Sequence, residues 1–120
     1  MGKSILKDKS FAFAICIVKL YKYLCEIKKE FVLSKQLLRR GTAVGALVRE
    51  SQNAESTKDF IHKLAIAQKE CDETIYWLEL LKETGYIDSV EFEKLQNLAG
   101  ELLKMIRSSI LTAKQKTHHS

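Results

Sequence analysis

Proline is absent from this 120-residue chain, and glycine occurs only five times. Proline interrupts helix interiors because it lacks a backbone N–H and its ring clashes with the preceding turn. No proline therefore interrupts a helix anywhere in this chain. The chain also lacks alternating β-branched runs and hairpin dipeptides, so the sequence gives no indication of a β-sheet.

Cysteine is scarce, and its three occurrences lie far apart without a CxxC motif. This spacing provides no disulfide framework, and it predicts reduced thiols in a cytoplasmic protein. Long hydrophobic runs are missing too. The apolar segment at residues 11–18 is too short to span a bilayer, so we expect no membrane association.

The sequence contains no pattern of residues that is typical of a catalytic or metal site. Asp72 and Glu73 are adjacent and therefore point about 100° apart on a helix. No glutamate is followed three residues later by histidine, the spacing that di-iron bundles use, and there is no phosphate-binding glycine loop. We predict that the protein is not an enzyme and has no cofactor or metal site.

Four segments carry apolar residues at the three- and four-residue spacing of a helix face. The clearest is residues 59–81, DFIHKLAIAQKECDETIYWLELL, with the stripe Phe60, Leu64, Ala67, Cys71, Ile75, Leu78 and Leu81. In the first segment the expected apolar face is Phe11, Ile15, Val18, Leu20, Leu24 and Ile27. One helix cannot bury such a stripe alone, so the helices must pack together.

The helices are predicted at about residues 9–29, 32–50, 57–83 and 89–113. Ser56 followed by Asp59 is a start signal, and Gly85 is a C-terminal cap. Short connections between long helices make neighbours antiparallel. The sequence therefore predicts one all-α domain over residues 1–120, an antiparallel up-down-up-down four-helix bundle.

Gly41 and Gly45 lie one turn apart in the second predicted helix. A glycine in a helix interior costs about 1 kcal/mol relative to alanine. The pair therefore predicts close packing of another helix backbone at this point. The alternative is a helix that is loosened or broken near Gly41.

The charges are unevenly distributed along the chain. Residues 1–49 hold 11 Lys or Arg and 3 acids, residues 50–101 hold 5 and 12, and residues 102–120 hold 4 and none. If the first and last helices are neighbours, their charges form one basic surface that favours polyanions. The alternative is that opposite charges pair between helices or subunits.

Basic residues of the second and fourth helices are candidates for binding RNA or DNA. They are Lys35, Arg39, Arg40, Arg49, Lys104, Arg107 and Lys114. The guanidinium fork of arginine suits phosphate, and the absence of a base-reading motif predicts contacts mainly to phosphate. For Arg39 the alternative is a pairing with Glu50 or with an acid of the third helix.

Tyr76 and Trp77 are candidates for a subunit contact. Ile75 and Leu78 already occupy the core stripe, so Trp77 lies away from its centre, where large aromatic side chains often anchor interfaces. The alternative is a tryptophan at the edge of the bundle, packed under Lys82 or Tyr23.

Three stretches, in this order and spacing, resemble the 23S rRNA intervening sequence protein family. They are FAFAICIVKLYKYL at residues 11–24, VLSKQLLRRGTAVGALVRES at residues 32–51, and the segment at residues 59–81. The resemblance implies a four-helix bundle that assembles as a homo-oligomeric ring, a homopentamer in some members. It extends to the similar accessory proteins of diversity-generating retroelements, in which a basic surface engages nucleic acid and a reverse transcriptase.

The function that this resemblance implies is that of a non-catalytic nucleic-acid-binding accessory protein. A structural or protein-interaction scaffold without a nucleic-acid ligand is the alternative. The chain departs from the family pattern in the second helix, where related sequences often read GTSIGAN. Ala43 replaces the usual Ser and Leu47 the usual Asn. A role that needs the Asn amide is therefore not expected, whereas a packing role for Gly45 remains.

Overall fold

The structure, a computed structural model, describes the backbone of residues 4–119 and the side chains of residues 4–117. It contains four α-helices: α1 (Ile5–Glu26), α2 (Leu33–Gln52), α3 (Thr57–Glu83) and α4 (Ser89–His119). No strand occurs between residues 4 and 119. α1 and α3 each pack against both α2 and α4, whereas no described Cα atoms of the diagonal pairs, α1 with α3 and α2 with α4, approach within 8 Å. The all-α prediction is confirmed, and the four helices surround one core.

Two helices extend beyond their predicted limits. α1 begins at Ile5 rather than near residue 9 because the Ser4 hydroxyl accepts a hydrogen bond from the Lys7 N–H at 3.1 Å. It ends at Glu26, before the predicted residue 29. α4 continues to His119 rather than ending near residue 113, since neither glycine nor proline follows Ala113.

The core is formed by one stripe from each helix. In α1 this stripe is Phe13, Ile17, Leu20 and Leu24, all at most 5% exposed. The α1 face expected from the sequence was wrong at three positions, because Phe11, Ile15 and Ile27 are 52%, 42% and 65% exposed. α1 carries apolar residues on more than one face, so periodicity alone does not select the stripe that is buried.

The two glycines of α2 lie where α1 approaches. A Cβ atom on Gly41 would lie 2.8 Å from both Cγ atoms of Ile17, and one on Gly45 would lie 3.2 Å from the Ser10 carbonyl oxygen. α2 is continuous through both positions. Glycine therefore allows α1 and α2 to pack closely.

The connection between α1 and α2 is organised by Glu30, which the sequence did not indicate. Its buried carboxylate accepts hydrogen bonds from the backbone N–H groups of Val32, Leu33 and Ser34 at 3.1, 2.9 and 2.7 Å. Burial alone would raise the pKa of Glu30, but the bonds from these N–H groups outweigh it and lower the pKa. Lys29, just before it, has φ of 55°. The result is a fixed start for α2.

At the two remaining connections, side chains cap the starts of α3 and α4, and a glycine follows the end of α3. The Ser56 hydroxyl accepts from the Asp59 N–H at 3.0 Å, and Asp88 Oδ1 accepts from the Glu91 N–H at 2.8 Å. Gly85 has φ of +85°, which favours glycine at the end of α3. Over the described residues, none of the helices has both the length and the apolarity needed to cross a membrane.

Candidate nucleic-acid interface

α2 carries its basic side chains on two different sides. Lys35, Arg39 and Arg49 are exposed, and helix periodicity places them within a sector of about 80°. Arg49, at one edge of this sector, lies next to α1, because its guanidinium carbon is 5.0 Å from the centroid of the Phe11 ring. Lys35 and Arg39 lie farther round the helix from α1, and all three cations face solvent.

Arg40 points the other way, toward α3. Its Nη1 donates hydrogen bonds to both carboxylate oxygens of Glu70, at 3.1 and 3.2 Å, and lies 3.3 Å from Glu73 Oε1. The hydrogen bond to Glu70 raises the pKa of Arg40, and the charges of Glu70 and Glu73 add to this effect. Arg40 therefore belongs to the contact between α2 and α3 and adds little to an exposed basic surface.

The acid partners considered for Arg39 are occupied by other side chains. Glu50 lies 3.3 Å from the Lys63 ammonium, and the acids of α3 nearest to α2 pair with Arg40. Among the described residues, Arg39 forms no ion pair. Its guanidinium is thus available to an external ligand.

The basic residues of α4 lie apart from those of α2. Lys104, Arg107 and Lys114 are exposed, but α4 lies across the core from α2, and no described Cα atoms of the two helices approach within 8 Å. Burial, and then the charge of Asp72, raises the pKa of Cys71 to about 12, and the charge of Arg107 acts in the opposite direction. Arg107 is therefore close to α3. The structure does not unite the two predicted sets in one surface.

The structure instead gathers lysines around the connection between α1 and α2. Five exposed cations lie here, and we call them the basic end: Lys22, Lys28, Lys29, Lys35 and Arg39. Within the described chain none of the five is in an ion pair. The sequence analysis predicted only Lys35 and Arg39 of this group. The lysines at 22, 28 and 29, close in sequence to Lys35, were a usable signal for the other three.

Large apolar side chains are exposed mainly on or just after α1. They are Ile5, Phe11, Ile15, Tyr23, Ile27, Phe31 and Val32. On α3, Tyr76 is 57% exposed and packs edge-to-face on Trp77, with ring centroids 5.1 Å apart. Trp77 is only partly exposed and packs against the core. The Lys82 ammonium, one neighbour considered for Trp77, lies 4.8 Å from the centroid of the Phe92 ring.

Two open clefts lie at different places along the helices. One, of about 640 Å³, is lined mainly by hydroxyl and small side chains where α2 ends, α3 begins and α4 approaches its C-terminus. The other, of about 540 Å³, lies between α1, α4 and the connection that precedes α4. Across the described residues there is no group of three or more His, Cys, Asp or Glu side chains placed to hold a metal ion.

These observations define a class: an all-α protein of four helices around one apolar core, with a group of exposed cations at and beside the connection between α1 and α2. The chain belongs to the 23S rRNA-intervening sequence protein family, which it matches over residues 3–108. A solved structure of a protein with unknown function from the S23 ribosomal protein family of Bacteroides thetaiotaomicron VPI-5482 is similar throughout. It is 52% identical, covers 88% of this chain and 98% of its own, and has a TM-score of 0.87. No curated protein matches this chain.

Proposed function

We propose that this protein is a non-catalytic accessory protein that binds RNA, or DNA, through the basic end. The observation that carries the proposal is the grouping of Lys22, Lys28, Lys29, Lys35 and Arg39, exposed and without an acid partner in the described chain. The two acids within this segment do not cancel it. Glu30 is committed to the start of α2, and Glu26 is a single exposed carboxylate.

Unpaired exposed cations bind phosphate because contact with the backbone of a nucleic acid releases condensed counterions. Such contacts fix position and carry little sequence information. Lys104, Arg107 and Lys114 form a second, separate candidate surface on α4.

The assignment is tested by measuring fluorescence anisotropy of labelled RNA and DNA, single-stranded and duplex, at low and moderate salt. The variant Lys22→Gln/Lys35→Gln/Arg39→Gln should bind more weakly, with a salt slope smaller by about 2, because three phosphate contacts are lost. The matched control, Lys104→Gln/Arg107→Gln/Lys114→Gln, removes the same charge elsewhere. A larger loss in the control than in the first variant would move the site to α4.

Non-catalytic function is part of the proposal. Cys71 is fully buried with a pKa of about 12, so its thiol stays protonated and unreactive. The free cysteines fit a reducing compartment, which supports a cytoplasmic location.

We also infer that the helices form an antiparallel up-down-up-down bundle. Along an antiparallel pair, residues that lie later in one helix contact residues that lie earlier in the other. The pairs Ser10–Gly45, Ile17–Gly41, Glu50–Lys63, Arg40–Glu70, Cys71–Ala99 and Lys82–Phe92 all follow this order. The four-residue connection between α2 and α3 also fits neighbours of opposite direction.

A homo-oligomer is proposed on the basis of the exposed apolar surface of α1. Phe11 and Ile15 lie on the outer side of α1, with Arg49 against Phe11. Residues 70–83 of α3 hold five acids and one lysine, and they include exposed Tyr76. We propose that the outer side of α1 in one copy packs on α3 of the next. This head-to-tail contact closes a ring, a homopentamer by the family resemblance.

Light scattering tests the assembly. We expect a particle mass that is a multiple of 13.8 kDa, about fivefold for the pentamer, and a shift to monomer in Phe11→Ser/Ile15→Ser. Leu111→Ser is the control, because Leu111 is 58% exposed on α4, away from the proposed contact. A wild-type monomer at micromolar concentration would refute the ring.

The rival function, a protein-interaction scaffold, is favoured by the same exposed apolar residues of α1. Its partner would be another protein, such as the reverse transcriptase that the resemblance implies. Pull-down with the Lys22→Gln/Lys35→Gln/Arg39→Gln variant separates the two. Capture that is unchanged in this variant and resistant to nuclease supports the scaffold, whereas capture lost on nuclease treatment supports nucleic-acid binding.

A further inference from the structure

The cleft of about 540 Å³ between α1 and α4 opens at the basic end, and we call it the α1–α4 groove. Its lining combines lysines, tyrosines and one uncommitted acid: Lys19, Tyr23, Lys28, Tyr86, Glu91 and Lys94. These residues come from α1, from both connections at this end and from the first turns of α4. The groove therefore exists only in the folded chain.

Three lysines and two acids, Asp88 and Glu91, line the groove, so its formal charge is +1 and favours an anion. Lys19, Lys28 and Lys94 are exposed, and no described acid lies within ion-pair distance of any of them. Of the two acids in the lining, Asp88 already accepts the Glu91 N–H at 2.8 Å as the cap of α4. Three unpaired ammonium groups on three separate elements can contact successive phosphates of a strand.

The tyrosines supply flat apolar surface beside these charges. Tyr23 is 42% exposed, whereas Tyr86 is partly buried and packs against the core. The backbone N–H of Tyr86 donates to the Leu81 carbonyl at 2.9 Å, and that of Lys28 donates to the Tyr23 carbonyl at 3.3 Å. These bonds attach the backbone of Tyr86 to the end of α3 and that of Lys28 to the end of α1. Aromatic side chains beside unpaired cations are the combination that binds single-stranded nucleic acid.

We propose that the α1–α4 groove binds a nucleotide of single-stranded RNA or DNA. The base stacks on Tyr23 or Tyr86, and the adjacent phosphates contact Lys19, Lys28 and Lys94. A duplex keeps its bases stacked and paired, so it cannot place one in the groove. This inference rests on the proposed function and makes it specific, because it predicts a preference for single strands over duplexes.

The first test is Tyr23→Ala, measured by anisotropy with a labelled single-stranded oligonucleotide. We expect affinity to fall about fivefold or more, as for other lost base–aromatic contacts. The salt slope should be unchanged, since no phosphate contact is lost. Tyr23→Phe keeps the ring and should bind like the wild type. Leu111→Ala is the control, because Leu111 is an exposed apolar residue of α4, 58% exposed against 42% for Tyr23, that does not line the groove.

The second test addresses the lysines. Lys19→Gln/Lys94→Gln should lower the salt slope for single strands by about 1.4, the value for two phosphate contacts. The control Lys58→Gln/Lys69→Gln removes two exposed lysines of α3 and should change the slope much less. Cross-linking with an oligonucleotide that contains 4-thiouridine gives an independent readout. Cross-links are expected in peptides around Tyr23 and Tyr86.

The outcomes separate this inference from the proposed function. If the wild type binds single strands but Tyr23→Ala binds as well as Leu111→Ala, the groove assignment is wrong and the basic end stands. Cross-links confined to the second half of α4 also overturn it. A free mononucleotide that binds as tightly as the strand would make the groove a small-molecule site. No binding of any nucleic acid at low salt removes both proposals.

Discussion

The side of α1 that faces α2 and the side that faces solvent are both apolar, yet they contribute differently to the structure. On the inner side, Ile17 is fully buried and lies against Gly41, so the two helices approach closely. On the outer side, Phe11 and Ile15 are about half exposed. The same helix therefore holds the fold together with one face and leaves the other exposed.

The difference shows that apolar character by itself does not identify core residues. Ile15 and Ile17 are the same amino acid, two positions apart in one helix, in opposite environments. Exposed apolar residues grouped on one element are typical of interaction surfaces. Four measurements test this comparison, and they are ordered from the largest expected effect to the smallest.

The largest effect is expected from truncating the buried isoleucine. Ile17→Ala should lower the free energy of unfolding by about 2–5 kcal/mol, because it removes buried methylenes and leaves a cavity. In protein diluted to the monomer, where the proposed subunit contact does not contribute, Ile15→Ala should change it by about 0.5 kcal/mol or less. Urea denaturation of both variants measures the difference. Equal losses would mean that the two sides of α1 are not distinct.

A smaller effect is expected from adding a methyl group where α1 meets α2. Gly41→Ala should lower the free energy of unfolding by about 1–2 kcal/mol, since overpacking outweighs the gain in helix propensity. Gly100→Ala is the control, because a Cβ there meets nothing within 4 Å. That variant should be more stable by up to about 1 kcal/mol. A stabilised Gly41→Ala would show that α1 and α2 separate easily.

The Glu30 carboxylate, in the connection between α1 and α2, makes a pH-dependent contribution to the free energy of unfolding. Its pKa is lowered on folding, so the stabilisation is fully present above the ordinary value of 4.5 and is lost as the pH falls below it. Glu30→Gln should therefore cost about 0.5–2 kcal/mol at neutral pH and progressively less below pH 4.5. Denaturation of both proteins across this range, with Glu26→Gln as an exposed control, measures it. A pH-independent difference would contradict the capping role.

The smallest effect is expected where α1 meets α4. Lys9 and Glu101 form an ion pair at 2.9 Å, but their side chains are 44% and 48% exposed. Lys9→Gln should cost about 0.2–1 kcal/mol, and less at high salt because solvent and ions screen the pair. Thermal denaturation at two salt concentrations measures this. A loss comparable with that of Ile17→Ala would make the α1–α4 contact as important as the α1–α2 contact.

Local signals in the sequence predicted much of this structure. Ser56 and Gly85 mark the limits of α3 because capping depends on neighbours within one turn. The stripe of α3 was found: five of its seven residues are buried, and Phe60 and Ile75 pack against the core. The buried face of α1 was not predicted correctly, because apolar residues occur on several sides of this helix. Nor was Glu30 found, since a glutamate among lysines gives no sign that its carboxylate will cap α2.

The candidate site was less accessible to sequence reasoning than the fold. Arg39 and Arg40 are adjacent and chemically identical, yet one faces solvent and the other pairs with Glu70 of α3. Which of two neighbouring arginines meets an acid thirty residues away depends on how helices rotate against each other. Lys94 joins Lys19 and Lys28 in one groove for the same reason.

The sequence by itself determined the four helices, because periodicity, caps and the lack of proline act over a few residues. It also determined that the helices must cover one another. Only the tertiary structure decided which apolar face of α1 is buried, which arginine remains unpaired and which lysines come together. Those outcomes depend on contacts between residues far apart in the chain, whose geometry is fixed when all four helices pack around one core.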